Sequence, residues 1–251
     1  PTAVLSAHTA FAHVYKRDLS SDFEEIFASW EQEKITFDFV YTGYLASPEQ
    51  IGTVSRFLNR LPGKDQAVFV DPVMGDFGRL YTGFHTTFPG YMADLCARSD
   101  VIVPNLTEAC SLLNEPYRED FTRDQLTDLL RRLCAMGAKC AVLTGVSPTG
   151  EEDKLGVLNY DGRDGSTFSY YGERVRTSQP LHGTGDVFAS ACVGALAAGM
   201  CLDDALSLAV EFTSRSAACW AAAADRRWYG VDFETALPYY IDEIRRYKEK
   251  I

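Results

Sequence analysis

Short apolar runs alternate with longer amphipathic segments along most of the chain. Four runs rich in β-branched and aromatic residues are each followed by polar or turn-forming residues, and segments with apolar positions three and four residues apart lie between or after them. This alternation is typical of an α/β fold with a mainly parallel sheet. The predicted strands are residues 37–41, 67–70, 101–103 and 140–143, and the predicted helices are residues 48–60, 89–97, 107–113, 123–136 and 184–198.

The pattern changes after residue 153. Residues 154–160 and 167–171 alternate apolar and polar positions and flank the turn-forming sequence DGRDG, which predicts a β-hairpin at the edge of the sheet. Residues 203–224 and 232–250 return to helical spacing. Because no repeat, low-complexity segment or Pro-, Gly- or Ser-rich linker interrupts the sequence, we expect one domain over residues 1–251.

Composition narrows the classes of partner. The 251 residues are 46% hydrophobic, which is enough for one sizeable core. The 24 Lys and Arg residues against 35 Asp and Glu residues give a formal net charge of −11, which disfavours nucleic acids and anionic membranes as partners. Any anionic ligand must therefore be bound locally, by backbone amides or through a metal ion.

Several features predict a cytoplasmic protein. The seven cysteines are odd in number and form no CxxC pair, which indicates reduced thiols. Residues 1–20 lack the pattern of a signal peptide. The longest apolar stretch, residues 187–202, is rich in Ala and Gly and is flanked by Asp186 and Asp203, so we expect a core helix there rather than a membrane span.

Polar residues follow each predicted strand of the parallel sheet. They occupy residues 41–44, 71–76, 104–108 and 144–145. In open α/β sheets the ligand binds beyond the carboxyl ends of the strands. The sequence therefore predicts a ligand cleft along this edge of the sheet.

The strongest local motif is HGTGD at residues 182–186, directly before a predicted helix of small residues. Glycines allow close approach of the backbone to a ligand, and a helix N-terminus presents N–H groups with partial positive charge, so the motif predicts an anion site. Asp186 has two interpretations. It is either an N-cap, which stabilises a helix by about 1 kcal/mol, or a general base beside a phosphate group.

Three acidic residues are expected at the same edge, namely Asp71, Asp76 and Glu108. Phosphoryl transfer requires Mg²⁺, which prefers carboxylate and water oxygens, so these acids predict a magnesium site. The alternative is that Asp71 and Asp76 only form turns. The chain contains neither a GxxxxGK[ST] motif nor a GxGxxG motif after a strand, which argues against a P-loop ATPase and a dinucleotide-dependent dehydrogenase.

Five sequence blocks carry a resemblance to a known family. They are LSAHT at 5–9, TGYLAS at 42–47, DPVMGD at 71–76, PNLTEA at 104–109 and GTGD at 183–186. Over essentially its whole length the chain resembles pyridoxal/pyridoxamine kinases of the ribokinase-like superfamily, of the bacterial pyridoxamine kinase type. The resemblance implies a ribokinase-like three-layer α/β/α sandwich with a mainly parallel central sheet.

The resemblance also implies an activity. It is the ATP-dependent phosphorylation of the 5′-hydroxymethyl group of pyridoxal, pyridoxamine or pyridoxine, in the salvage of vitamin B6 to pyridoxal 5′-phosphate. ATP and Mg²⁺ are the implied cofactors, a B6 vitamer is the implied small-molecule substrate, and a homodimer is the implied assembly.

Individual residues acquire roles by the same resemblance. Asp186 would contact the substrate and activate its hydroxyl group as the base, while the amides of Gly183, Thr184 and Gly185 would stabilise the transferred phosphoryl group. The metal site would comprise Asp71, Asp76 and Glu108. The ATP site would comprise Asp71, Asn105, Glu108, Thr144, Gly183, Thr184 and Gly185, and the vitamer site would comprise Thr9, Tyr44, Tyr81 and Asp186.

The sequence departs from the family pattern at two places. The N-terminal strand of the family and its Gly- and Ser-containing loop have no counterpart before Pro1, and Val103 stands where relatives often have Thr. Two alternative functions stay open. One is a hydroxymethylpyrimidine kinase of thiamine synthesis, although such enzymes often carry Cys at the position of Asp186. The other is a non-catalytic protein that binds a vitamer or a nucleotide.

Overall fold

A computed structural model of the chain describes residues 4–6, 11–61, 66–147, 150–177 and 181–250. The strands are β1 Val4–Ser6, β2 Lys16–Asp18, β3 Phe39–Thr42, β4 Ala67–Val70, β5 Gly75–Asp76, β6 Arg79–Leu80, β7 Val101–Ile102, β8 Cys140–Val146, β9 Lys154–Asp161 and β10 Thr167–Glu173. The helices are α1 Phe23–Gln32, α2 Pro48–Arg60, α3 Phe88–Cys96, α4 Leu106–Leu112, α5 Arg123–Ala135, α6 Thr184–Ala197, α7 Leu202–Ala222 and α8 Phe233–Lys248.

The central sheet has six strands in the order β10-β9-β8-β7-β4-β3. Strands β3, β4, β7 and β8 run parallel to one another. Strand β9 runs antiparallel to β8 and forms a hairpin with β10 at the edge of the sheet. The predicted mainly parallel sheet with an edge hairpin is therefore confirmed.

Alternation along the strands divides the core into two layers of helices. Val70 of β4 faces an apolar cluster that includes residues of α1 to α5, whereas the preceding Phe69 faces a second cluster that includes residues of α6, α7 and α8. Because successive strand side chains point to opposite faces, both faces of the sheet are covered. The predicted three-layer α/β/α sandwich is confirmed.

Local sequence signals explain where helices begin. The Ser47 hydroxyl accepts a hydrogen bond from the Gln50 N–H at 3.2 Å, and Pro48 occupies the first helical turn of α2. Thr122 and Gln125 form a reciprocal capping box at the start of α5. These caps satisfy N–H groups of the first turn and so fix where the two helices begin.

Three elements were not predicted from the sequence. Helix α1 was missed although Phe23, Ile26, Phe27 and Trp30 follow helical spacing and pack into the core. The hairpins β1–β2 and β5–β6 consist of strands of two or three residues, too short to produce a visible alternation. The apolar stretch 187–202 is divided between α6 and the start of α7 by a turn at Gly199, where φ is +97°.

No helix in the described ranges combines the length and apolarity that crossing a lipid bilayer requires. The expectation of a core helix in residues 187–202 agrees with the burial of Ala189, Cys192 and Ala195 between α7 and the sheet.

Replacing Leu130 by Ala should destabilise the protein by about 2 to 5 kcal/mol, because Leu130 is fully buried between α5 and the sheet and its removal leaves a cavity. Arg131→Ala, on the exposed side of the same helix, should change stability by less than about 0.5 kcal/mol. Urea denaturation measures both values. Equal effects would contradict the assignment of this face of α5 to the core.

Candidate active site

The carboxyl ends of the parallel strands bring the predicted polar segments together. Asp71 directly follows β4, and its backbone N–H donates to the Thr42 carbonyl at the end of β3, at 2.8 Å. The Asp71 side chain is only 8% exposed. The Tyr41 hydroxyl of β3 approaches the Asp71 carboxylate as a hydrogen-bond donor. Asp71 is therefore a buried acid at the sheet edge rather than an exposed turn residue.

Glu108 lies beside it at the start of α4. Its Oε2 accepts the Asn105 N–H at 2.9 Å, and its Oε1 accepts the Met74 N–H at 3.1 Å. The Asn105 side chain in turn accepts the Glu108 N–H at 2.9 Å and donates to the Gly75 carbonyl at 2.8 Å. One capping box therefore fixes a buried carboxylate and links α4 to the segment after β4.

That segment forms the small β5–β6 hairpin over the sheet edge. Phe77 and Gly78 have positive φ angles at its turn, and the Gly78 N–H donates to Thr107 Oγ1 at 2.9 Å. A Cβ atom on Gly78 would lie 2.6 Å from the Tyr117 ring, so only glycine allows this close approach. The hairpin leads into Tyr81, whose N–H donates to the Met74 carbonyl at 2.9 Å and whose side chain is 45% exposed.

The N-terminus of α6 supplies the last component. Gly183 is the N-cap residue, with φ of +82°, and no side chain caps the first turn. Asp186 is the third residue of the helix and is exposed. The interpretation of Asp186 as an N-cap is therefore wrong, because a glycine occupies that position. Gly183 has no side chain to accept the first-turn N–H groups, which is compatible with an anion site.

The acids at this edge influence one another strongly. Burial raises the pKa of Asp71 well above its ordinary value, and the charges of Glu108 and Asp186 raise it further. Burial raises the pKa of Glu108 to about 7, against the opposing effect of its backbone hydrogen bonds. Asp186 is accessible, yet the surrounding protein displaces enough water to raise its pKa as well.

The Tyr81 hydroxyl group is influenced by all of these acids. Burial raises the pKa of Tyr81 to about 12, and the charges of Asp76, Glu108, Asp71 and Asp186 contribute to the shift. Four carboxylates, from the residue after β4 and from β5, α4 and α6, therefore lie within electrostatic range of the Tyr81 side chain. The acids that were predicted separately from the sequence are brought together by the fold.

The acids at this edge of the sheet fit a Mg²⁺ ion that is held only partly by protein side chains. Mg²⁺ is commonly held by one or two protein carboxylates together with water and substrate phosphate oxygens. Across the ranges that the structure describes, no three His, Cys, Asp or Glu side chains converge to hold a metal by themselves. Asp71 and Glu108 supply two buried carboxylates whose charge a cation would compensate. Asp76 is exposed and accepts the Phe77 N–H at 2.8 Å, which matches the alternative of a turn residue.

The other predicted residues have the following positions. Thr144 lies in β8, donates its N–H to the Pro104 carbonyl at 3.0 Å and pairs with Asn105. Tyr44 follows β3, with its ring 5.7 Å from the Phe84 ring and its hydroxyl in contact with the Lys16 ammonium group. Thr9 lies outside the described residues.

Two residues in contact with the site were given no specific role by sequence reasoning: Tyr41, which belongs to the predicted polar segment 41–44, and Lys16, which was missed altogether. Tyr41 shares a sheet face with Asp71, which the alternation of β3 and β4 could have indicated. Lys16 lies 28 residues from Tyr44 along the chain, so no local pattern connects them.

Comparison with known proteins identifies the family. The model of the family described as phosphomethylpyrimidine kinase matches residues 9–227. The chain belongs to this family. The resemblance that the five sequence blocks predicted is thereby confirmed, because members with solved structures include a pyridoxal kinase.

Three relatives illustrate the range of this family. A Bacteroides thetaiotaomicron protein, assigned as a phosphomethylpyrimidine kinase and solved with pyridoxal, is 33% identical with a TM-score of 0.87, covering 95% of this chain and 83% of that one. The pyridoxal kinase of Lactobacillus plantarum is 30% identical with a TM-score of 0.84, covering 96% and 84%. The pyridoxine kinase of Bacillus subtilis is 29% identical, covering 71% and 63%. The matches span less than two thirds of the length of the curated relatives.

The free energy of unfolding of the ligand-free protein should fall as the pH rises from about 4.5 to about 7. The reason is that the folded chain binds the Glu108 proton more tightly than the unfolded chain does. Glu108→Gln removes this titratable group and should therefore make the free energy of unfolding vary less with pH between about 4.5 and 7. Glu49→Gln, at the exposed start of α2, should leave this pH dependence unchanged. Denaturant titrations at several pH values measure the slopes. Indistinguishable profiles for wild type and Glu108→Gln would contradict the raised pKa.

Proposed function

We propose that this protein is an ATP-dependent kinase that phosphorylates the 5′-hydroxymethyl group of a B6 vitamer, namely pyridoxal, pyridoxamine or pyridoxine. One observation carries the proposal. Asp186, at an uncapped helix N-terminus, lies within electrostatic range of the buried acid Asp71, which in turn neighbours Glu108. A base, an anion site and a cation site at one sheet edge are the parts that phosphoryl transfer to an alcohol requires.

Asp186 acts as the general base in this proposal. Its carboxylate accepts the proton of the substrate hydroxyl group as that oxygen attacks the γ-phosphorus of ATP, and the bond from phosphorus to the ADP oxygen breaks. The raised pKa makes the carboxylate a better proton acceptor than an ordinary aspartate. The N–H groups of Gly183, Thr184 and Gly185 stabilise the charge on the transferred phosphoryl oxygens.

Asp71 and Glu108 would hold Mg²⁺ in this proposal, together with water and substrate phosphate. When bound, the ion neutralises charge on the ATP phosphates. Asn105, the N-cap of α4, forms an isolated bridge with Thr144 of β8, and in this proposal both residues contact the nucleotide. Glu108 and Asn105 are held by each other, so the cation site is preorganised before ligands bind.

The vitamer would bind near the end of β3. Tyr44 and Tyr81 offer aromatic surface and hydroxyl groups for its ring, together with Thr9 by resemblance. The β5–β6 hairpin would cover the site and limit the access of water to the phosphoryl group. Phe77, at the tip of the hairpin, is 77% exposed, which suits an element that contacts bound ligand rather than the core.

A second candidate function is the phosphorylation of hydroxymethylpyrimidine. The description of the matching family favours it, and the Bacteroides thetaiotaomicron relative carries the same assignment although it was solved with pyridoxal. A non-catalytic binding protein is less well supported, because binding alone requires no acid at the position of Asp186.

Replacing Asp186 by Asn should lower the rate of vitamer phosphorylation by about 100- to 10,000-fold, because the general base is lost. Asp204→Asn is a matched control, since Asp204 lies in the first turn of the neighbouring helix α7 and should leave the rate unchanged. The measurement is mass spectrometry of products after incubation with ATP, Mg²⁺ and an equimolar mixture of pyridoxal, pyridoxamine, pyridoxine and hydroxymethylpyrimidine.

Each result of this experiment has a definite meaning. Phosphorylated vitamers that disappear with Asp186→Asn support the proposal. Product from hydroxymethylpyrimidine alone would transfer the function to thiamine synthesis. If the wild-type protein gives no product but calorimetry shows that it binds a vitamer, the non-catalytic alternative would be supported.

The family resemblance also supports proposals for the oligomeric state and the cellular location of the protein. We expect a homodimer and a cytoplasmic protein. Sedimentation equilibrium over a range of concentrations tests the first expectation, and a monomer at all concentrations would contradict it.

A further inference from the structure

Lys16 is held against the part of the cleft where the vitamer ring is proposed to bind. Its ammonium group contacts the Tyr44 hydroxyl and lies 4.7 Å from the centroid of the Tyr44 ring. Strand β2, which carries Lys16, pairs with β1 so that Lys16 lies opposite Ser6. Lys16 therefore lies beside two of the described residues that belong to the five sequence blocks, Ser6 and Tyr44.

A buried amide fixes this arrangement. The Gln50 side chain is fully buried; its Nε2 donates to Asp18 Oδ1 of β2 at 2.9 Å, and its Oε1 accepts the Ala46 N–H at 2.7 Å. One side chain thus ties the strand that carries Lys16 to the loop that carries Tyr44. The position of the ammonium group relative to the phenol is built into the fold.

Lys16 interacts both with the Tyr44 hydroxyl and with Asp18 of its own strand, whose pKa its charge lowers. Asp18, the nearest acid in sequence, accepts hydrogen bonds from Ser20 and Gln50. Asp71, Glu108 and Asp186 contribute negative charge after β4 and in the first turns of α4 and α6. The proposed site therefore combines a cation, Lys16, beside Tyr44 with a separate group of acids.

The two candidate substrate classes differ in the group that such a cation recognises. The B6 vitamers share a ring hydroxyl on a pyridine, which ionises more readily than a simple phenol because the ring nitrogen withdraws electrons. Hydroxymethylpyrimidine has an amino group and no ring hydroxyl. An ammonium group stabilises an ionised hydroxyl by a charge-assisted hydrogen bond and offers nothing equivalent to an amino group.

We propose that Lys16 is a specificity-determining residue, which binds the ring hydroxyl of a hydroxypyridine substrate and so favours B6 vitamers over hydroxymethylpyrimidine. The inference rests on the proposed kinase function, since it names the substrate class of that site. Tyr44 has a supporting role, because its hydroxyl accepts a hydrogen bond from the ammonium group and orients it.

The test compares three substrates: pyridoxine, 3-deoxypyridoxine, which lacks the ring hydroxyl, and hydroxymethylpyrimidine. Lys16→Gln should lower kcat/KM for pyridoxine about tenfold, the loss expected for one hydrogen bond to a charged group. The values for the other two substrates should change less than about twofold, because neither has a ring hydroxyl for Lys16 to bind. Lys16→Arg should restore most of the preference, since it keeps the charge.

Lys139→Gln is the matched control. Lys139 pairs with Asp100 and lies just before β8, at the amino ends of the parallel strands and therefore away from the proposed site. A second readout does not need turnover. The absorption spectrum of protein-bound pyridoxine reports the ionisation of its ring hydroxyl, and Lys16→Gln should shift the bound ligand towards the neutral form.

Three outcomes would overturn the inference. An equal loss for all three substrates would show that Lys16 only supports Tyr44. Unchanged kinetics and an unchanged spectrum would show that Lys16 does not reach the substrate. A wild-type protein that phosphorylates none of the substrates would overturn the proposed function together with this inference, whereas the first two outcomes leave the kinase function intact.

Discussion

The placement of two carboxylates, Asp71 and Glu108, out of water at the carboxyl edge of a parallel sheet is the constraint on which the site depends. A buried charge is costly unless hydrogen bonds or an opposite charge compensate it. The fold supplies part of that compensation, through backbone N–H groups to Glu108 and the Tyr41 hydroxyl to Asp71. The remainder is left to a ligand, and a cation with bound phosphates has the chemistry to provide it.

The surrounding elements are arranged to satisfy this constraint. The capping box of Asn105 and Glu108 both starts α4 and fixes a carboxylate, so the local rule for a helix N-terminus also builds the site. The Asn105 amide holds the Gly75 carbonyl and thereby the base of the β5–β6 hairpin. From the other layer of helices, α6 brings an uncapped N-terminus and Asp186 to the same edge. Each layer of the sandwich thus contributes a different part of the proposed phosphoryl-transfer machinery.

Much of this arrangement could be predicted from the sequence because it follows local rules. Strand β4 and helix α2 match the predicted boundaries, since an apolar run and an amphipathic repeat with a Ser-Pro start are strong signals. Asp71, Glu108 and Asp186 could be predicted as candidates because they follow strands or begin helices, where ligands bind in α/β folds. The N-cap interpretation of Asp186 failed because the sequence alone does not show at which residue a Gly-rich loop becomes helical.

What could not be predicted depends on contacts between distant segments. Lys16 reaches Tyr44 through a small hairpin that carries no visible pattern, and the buried Gln50 that joins them looks in sequence like an ordinary polar residue in the first turn of a helix. The hydrogen bond of Tyr41 to Asp71 likewise depends on the pairing of β3 with β4, which places the two residues side by side. Residues that support a site from neighbouring strands are recognised from tertiary structure rather than from spacing.

The most direct test of this account is a crystal structure of the protein with Mn²⁺ in place of Mg²⁺ and with ADP, in which anomalous scattering locates the metal. The account predicts a metal peak beside Asp71 and Glu108, bridging to the ADP phosphates through water or directly, with the first turn of α6 facing the vacated γ-phosphate position. A metal bound only elsewhere, for example at Asp203 and Asp204, or ADP bound away from this edge of the sheet, would contradict it.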